Sequence, residues 1–154
     1  MTTVKINLCF DMDGTIADLY ANPDWLPLLR AFDPTPYATA RPIPNMSALA
    51  RKLNRLQREG FELTIISWLS KTSTPEYDEA VTDAKLDWLR KHLPSVHWDN
   101  INIVPYGTPK STFCDPEAFN ILFDDEQKNC DEWDNNEMNM AVSASALMDF
   151  LRGI

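Results

Sequence analysis

The chain is poor in the residues that build disulfide frameworks, transition-metal sites and glycine-rich phosphate loops: its 154 residues include three cysteines, two histidines and four glycines. Cys9, Cys114 and Cys130 are odd in number and show no C-x-x-C spacing, so they read as free or buried thiols rather than as a disulfide or zinc framework. His92 and His97 flank Pro94 without the paired spacing of a metal site, and no Ser-His-Asp order is credible. Pro109-Lys110-Ser111 lacks the glycine-rich cradle of a P-loop. Basic side chains are also in deficit. With 14 against 23 acidic ones the formal charge is −9, which repels a phosphate backbone, so no stable nucleic-acid binding is expected, while a small phosphorylated molecule is easier to accept. No apolar run approaches the roughly 18 residues of a membrane helix. Met1-Thr2-Thr3-Val4-Lys5 has no signal-peptide apolar stretch, so the expectation is a cytoplasmic protein without membrane contact.

What is present is an alternation of strand-like and helix-like segments, with no internal repeat and no low-complexity linker, in the order that builds βαβ units. The length suits one domain, 1–154. Strands are expected over 4–10, 61–67, 101–105 and 120–123, with a short fifth over 140–142. Asn45 is placed to cap a helix carrying Leu49, Leu53 and Leu56 and ending at Gly60. Thr74-Pro75-Glu76 starts another, with Val81, Ala84, Trp88 and Leu89 at helical spacing and Pro94 beyond its end. A last helix contains Leu147, Met148, Phe150 and Leu151 before Gly153. Between the first strand and the Asn45 helix, Pro23, Pro27, Pro34, Pro36, Pro42 and Pro44 interrupt the chain too often for one long helix, and 18–43 reads as a short insertion. The expected fold is a three-layer α/β/α, Rossmann-like domain with a mainly parallel sheet.

Two of these strands run into carboxylates. Leu8-Cys9-Phe10 leads to Asp11-Met12-Asp13-Gly14-Thr15, and Ile121-Leu122-Phe123 leads to Asp124-Asp125. Short apolar runs of this kind are strands buried on both faces of a parallel sheet, whose carboxyl edge is where ligands bind. Asp11, Asp13 and Asp124 can therefore converge, and clustered carboxylates call for a cation or a proton. Aspartate attacks phosphorus when the phosphate oxygens are neutralised, which suits Asp11, while Asp13 reaches a leaving oxygen if Gly14 turns the backbone sharply. Asp11, the carbonyl of Asp13 and Asp124 make a sufficient protein contribution to Mg²⁺, with Asp125 helping through water or a bond to these ligands. An EF-hand calcium loop is excluded, because Thr15 and Ile16 stand where a ligand and the glycine belong. Asp-x-Asp-Gly-Thr alone also fits an ordinary turn; the second acidic strand end makes that reading the weaker one.

These residues, with Ser67 after a strand and Lys110, resemble the four ordered motifs of haloacid dehalogenase-like phosphatases over nearly the whole chain. The resemblance implies that Asp11 is the nucleophile, Asp13 the acid/base, Thr15, Ser67 and Lys110 the phosphate-binding groups, and Asp11, Asp13, Asp124 and Asp125 the Mg²⁺ site. A hydroxyl and an ammonium suit phosphoryl oxygens. Ser70 stays an alternative to Ser67, and Lys85, on the helix, an alternative to Lys110. Asn129 either bonds a metal water or starts the next helix. The stretch from Lys85 to Pro94 and Phe123-Asp124-Asp125-Glu126-Gln127-Lys128-Asn129 are similar to 5′(3′)-deoxyribonucleotidases, which implies a nucleoside monophosphate as substrate. Their four-helix cap is reduced here to 18–43. Tyr20, Trp25 and Phe32 offer a stacking face or pack onto the domain, and Trp68 walls the pocket or covers the sheet edge. A sugar phosphate, a nucleic-acid end or a phosphoprotein is the alternative substrate. A catalytically silent Mg²⁺/phosphate-binding interaction domain is the rival of another class.

Overall fold

A computed structural model of the chain describes residues 4–152. The expected domain ends, Met1–Thr3 and 153–154, with the helix stop at Gly153, lie outside the described residues. Five parallel strands form one sheet: β1 (Lys5–Phe10), β4 (Glu62–Trp68), β5 (Asn100–Val104), β6 (Ala118–Asp124) and β7 (Asn139–Ser143), in the order β5-β4-β1-β6-β7. The helices are α1 (Trp25–Arg30), α2 (Thr35–Thr39), α3 (Met46–Arg58), α4 (Pro75–His92), α5 (Gln127–Trp133) and α6 (Ala146–Arg152).

Alternation along β1 sends Leu8 and Phe10 to one face and Cys9 to the other. The first face packs against Leu49, Leu53 and Leu56 of α3, Trp88 and Leu89 of α4 and Leu147 of α6. There Phe10 stacks on Phe123 with centroids 5.0 Å apart. The second face meets Trp133 of α5 and Phe113. Helices on both faces make the three layers, as expected. Asn45 does cap α3, accepting from Ala48 N at 3.0 Å, and Thr74 caps α4, accepting from Tyr77 N at 3.1 Å. Far from the acidic strand ends, a row of polar side chains, buried except for Asn100 at its exposed end, crosses the sheet: Asn100 to Thr64, Thr64 to Asn7, Asn7 to Asn120 and Asn120 to Asn139. A slip of one residue in any strand would turn its member of this row to the opposite face, so the row fixes register.

The proline-rich segment forms two short helices, α1 and α2, and a 3₁₀ turn at Leu19–Ala21. Two antiparallel strands, β2 (Ala17–Asp18) and β3 (Arg41–Pro42), pair at its base, so the excursion leaves and rejoins the domain at one point. Leu29 and Tyr37 anchor it on Tyr77 and Val81 of α4. Sequence periodicity missed this two-stranded stem, because two-residue strands carry no pattern.

Candidate active site

Register places the acidic residues together before any side chain is considered. Phe10 of β1 pairs with Phe123 of β6, and Asp11 N donates to Phe123 O at 3.0 Å, so Asp11 and Asp124 lie side by side at the carboxyl edge. After Asp11 the chain turns sharply: the amides of Thr15, Ile16 and Ala17 all converge on Met12 O. Gly14 makes this possible at φ +83°, and it does more. A Cβ there would sit 2.1 Å from Asp125 Oδ2, so the missing side chain is the space Asp125 occupies.

Asp11 is buried and fully engaged: Oδ2 accepts from Thr15 Oγ1 at 2.9 Å and Oδ1 from Lys110 Nζ at 2.8 Å. Lys110 opens a short 3₁₀ segment, Lys110–Phe113, and its Nζ also donates to Asp124 Oδ2 at 2.7 Å. Burial alone would lower the affinity of this amine for its proton; the charges of Asp11 and Asp124 more than offset that and hold it protonated. Asp124 accepts further from Glu126 N and from Asn129 Nδ2. Burial raises its pKa, Asp11 adds to the rise, and Lys110 opposes it. Asp125 is pushed up to about 8, chiefly by removal from water, with Asp11 and Asp124 adding their repulsion.

Asp13 stands apart from that group, on a second lysine. Lys85 Nζ donates to Asp13 Oδ2 at 2.9 Å, to Ser67 Oγ at 2.6 Å and to Trp68 O at 2.7 Å. Burial lifts the pKa of Asp13, against the pull of Lys85.

A cavity of about 460 Å³ opens over these groups. Asp11, Asp13, Lys110, Asp124 and Asp125 line it, whereas Thr15 and Ser67 lie behind the lining and Ser70 lines it. Asn129 lies in the first turn of α5 and donates from Nδ2 to Asp124 Oδ2 at 3.2 Å. Of the expected aromatic face, Tyr20 and Trp25 line the cavity, in edge contact at 5.0 Å. Phe32 is the exception: it packs edge-on to Tyr77 at 5.6 Å, away from the site. Trp68 also lines the cavity, 4.9 Å from Tyr106 and under Lys110, with its Nε1 bonded to Thr108 O at 2.8 Å. Lys85, which the sequence offers only as an alternative to Lys110, enters the site beside it. The available signal was its place on the buried stripe of α4, four residues after Val81 and four before Leu89, where an unpaired lysine is untenable.

The acidic group fits a hard divalent cation. Asp11, Asp124 and Asp125 each place one carboxylate oxygen so that all three lie within 4.8 Å of one another, and the repulsion of Asp11 and Asp124 adds to burial in the rise at Asp125.

A solved structure shares this fold. A chain in the structure of a Pnkp1/Rnl/Hen1 complex is 15% identical and superposes with a TM-score of 0.60 over 93% of this chain and 47% of its own length, so this chain spans about half of it. A D,D-heptose 1,7-bisphosphate phosphatase from Burkholderia thailandensis is 16% identical, with a TM-score of 0.49 over 81% of this chain and 69% of its own. No curated protein sequence matches. The model of one family, described as 5′ nucleotidase, deoxy (pyrimidine), cytosolic type C protein, matches residues 28–152, which takes in Ser67, Lys85, Lys110, Asp124 and Asp125 but begins after Asp11 and Asp13. The chain belongs to this family, a nucleotidase family of the haloacid dehalogenase-like phosphatases.

Proposed function

We propose that the chain hydrolyses phosphate monoesters with the help of Mg²⁺, through an aspartyl-phosphate on Asp11, and that its substrates are nucleoside monophosphates. The observation that carries this reading is the division of the carboxylates: Asp11, Asp124 and Asp125 share one cluster with Lys110, while Asp13, two residues from Asp11, is held separately by Lys85. Asp11 attacks phosphorus, forming an acyl-phosphate bond as the ester P–O bond breaks. Asp13 gives its proton to the departing alkoxide, a role its burial favours, and then takes a proton from the water that attacks the acyl-phosphate and frees Asp11. Lys110 faces the phosphoryl oxygens; Thr15 orients Asp11. Asp11, the Asp13 carbonyl, Asp124 and Asp125, directly or through water, would hold Mg²⁺, which when bound neutralises phosphoryl charge.

The nucleotide assignment draws on the family and on the aromatic walls, Tyr20, Trp25, Trp68 and Tyr106, which suit a planar base. A cytosolic place of action follows the family's cytosolic type, and no helix of the described residues is long and apolar enough to cross a membrane. The test is phosphate release from nucleoside monophosphates, sugar phosphates and an aryl phosphate, with and without Mg²⁺. Turnover should require Mg²⁺, favour nucleoside monophosphates and fall by at least ~10³-fold in Asp11→Asn. Undiminished turnover in that variant would refute the covalent route.

A further inference from the structure

Lys85 is 1% exposed, yet its ammonium is not free for substrate. Its three donors go to Asp13 Oδ2, Ser67 Oγ and Trp68 O, all within 2.9 Å. One face of the ammonium is covered by the ring of Tyr37, 4.9 Å away at the centroid, and Tyr37 belongs to α2 of the excursion and is itself buried. A lysine whose donors are all occupied does not bind a phosphate. It fixes the groups it touches.

We propose that Lys85 is the positioning residue of the proton-transfer step, holding Asp13 beside Asp11 with Ser67 as its second anchor, and that Tyr37 seats the ammonium for this purpose. The proposal rests on the phosphatase reading. Only Oδ2 of Asp13 is engaged by Lys85, so Oδ1 is left to carry the proton toward the departing oxygen. Lys110, by contrast, bridges Asp11 and Asp124 and does not share these partners. The two buried lysines thus divide the site into a nucleophile half and a proton-transfer half. The excursion enters the second half through Tyr37, beyond whatever contact it makes with the alcohol of the substrate.

A structural lysine and a positioning lysine are separated by leaving-group dependence. The value of kcat/KM reports steps up to departure of the alcohol. An alkyl ester such as a nucleoside monophosphate needs a proton there, and p-nitrophenyl phosphate does not. Lys85→Met should lose about 100-fold in kcat/KM on the alkyl ester, in the range of a lost general acid, and less than about 10-fold on the aryl ester. Lys85→Arg should restore part of the loss, since it keeps charge and donors. Equal losses on both esters, or none, would overturn the proposal. Should Lys85→Met not fold, Tyr37→Leu carries the comparison: a smaller split in the same direction supports it, and equal losses or none refute it. A crystal structure of Lys85→Met, or of Tyr37→Leu in its place, decides the matter without turnover. Asp13 should leave its present rotamer, and an unmoved Asp13 refutes the assignment. Wild-type protein inert toward both esters would refute the phosphatase reading and leave the crystallographic result to judge Lys85.

Discussion

Four aspartates and two lysines meet at the head of the sheet, Asp11, Asp13, Asp124 and Asp125 against Lys85 and Lys110, and full ionisation leaves two negative charges in excess. Without a cation, that repulsion adds to the removal from water that pushes Asp125 up to about 8. Removing the surplus charge should stabilise the metal-free protein. Asp125→Asn is expected to raise its Tm while shrinking the increment that Mg²⁺ gives, both read in one thermal-shift titration; a lower Tm without metal would contradict this account. Gly14 sets the other constraint on the same carboxylate. Gly14→Ala combines a left-handed backbone, costing about 1–2 kcal/mol for a residue with a Cβ, with a methyl 2.1 Å from Asp125 Oδ2. It should weaken Mg²⁺ half-saturation by ~10-fold or more as well as lower Tm. Loss of stability with unchanged Mg²⁺ dependence would mean that Asp125 is not held where the metal needs it.

At the scale of elements, the long helices α3 and α4 were legible because each has a cap and an apolar stripe, and α6 by its stripe alone. Asn45→Ala should cost about 1 kcal/mol, or roughly 2–4 °C in a domain of this size, and leave kcat/KM unchanged, since the Asn45 side chain caps α3 at Ala48 N and lies outside the cavity. Calorimetry and a single assay check both halves. Strand ends were equally legible: β1 and β6 are apolar because both faces are covered, and the carboxylates follow at once. Elements of two to six residues in the excursion were not, because prolines set their boundaries and tertiary contact with α4 sets their conformation. The choices between Lys85 and Lys110 and between Ser67 and Ser70 stayed open in the sequence for a related reason. Local sequence places a residue on a helix or after a strand, but only the packing of α4 across β4 decides that Lys85 meets Asp13 and that Ser67 turns inward to it. Nor does the pairing of Gly14 with Asp125 show in sequence, since it joins loops more than a hundred residues apart.

Over the whole molecule, an acidic surface and an acidic site add in sign, and a divalent cation relieves the part that burial makes costly. Free Mg²⁺ at about 100 times its dissociation constant should stabilise the fold by ~2.7 kcal/mol, or about 5–11 °C, and chelation should reverse it. The row of side chains from Asn100 to Asn139 contributes at the opposite edge by fixing register, so that β1 and β6 end level with each other and deliver Asp11 and Asp124 to the same place.

The stem made by β2 and β3 gives the excursion the character of an exchangeable module. Its two ends are already joined at Ala17–Pro42 and Asp18–Arg41, so the sheet does not sense how much chain lies between them. Doubling that chain would add only about 0.6 kcal/mol of closure entropy. A larger lid, with a different taste in leaving groups, could be spliced in at this stem, provided that one aromatic ring in it still came to rest over Lys85.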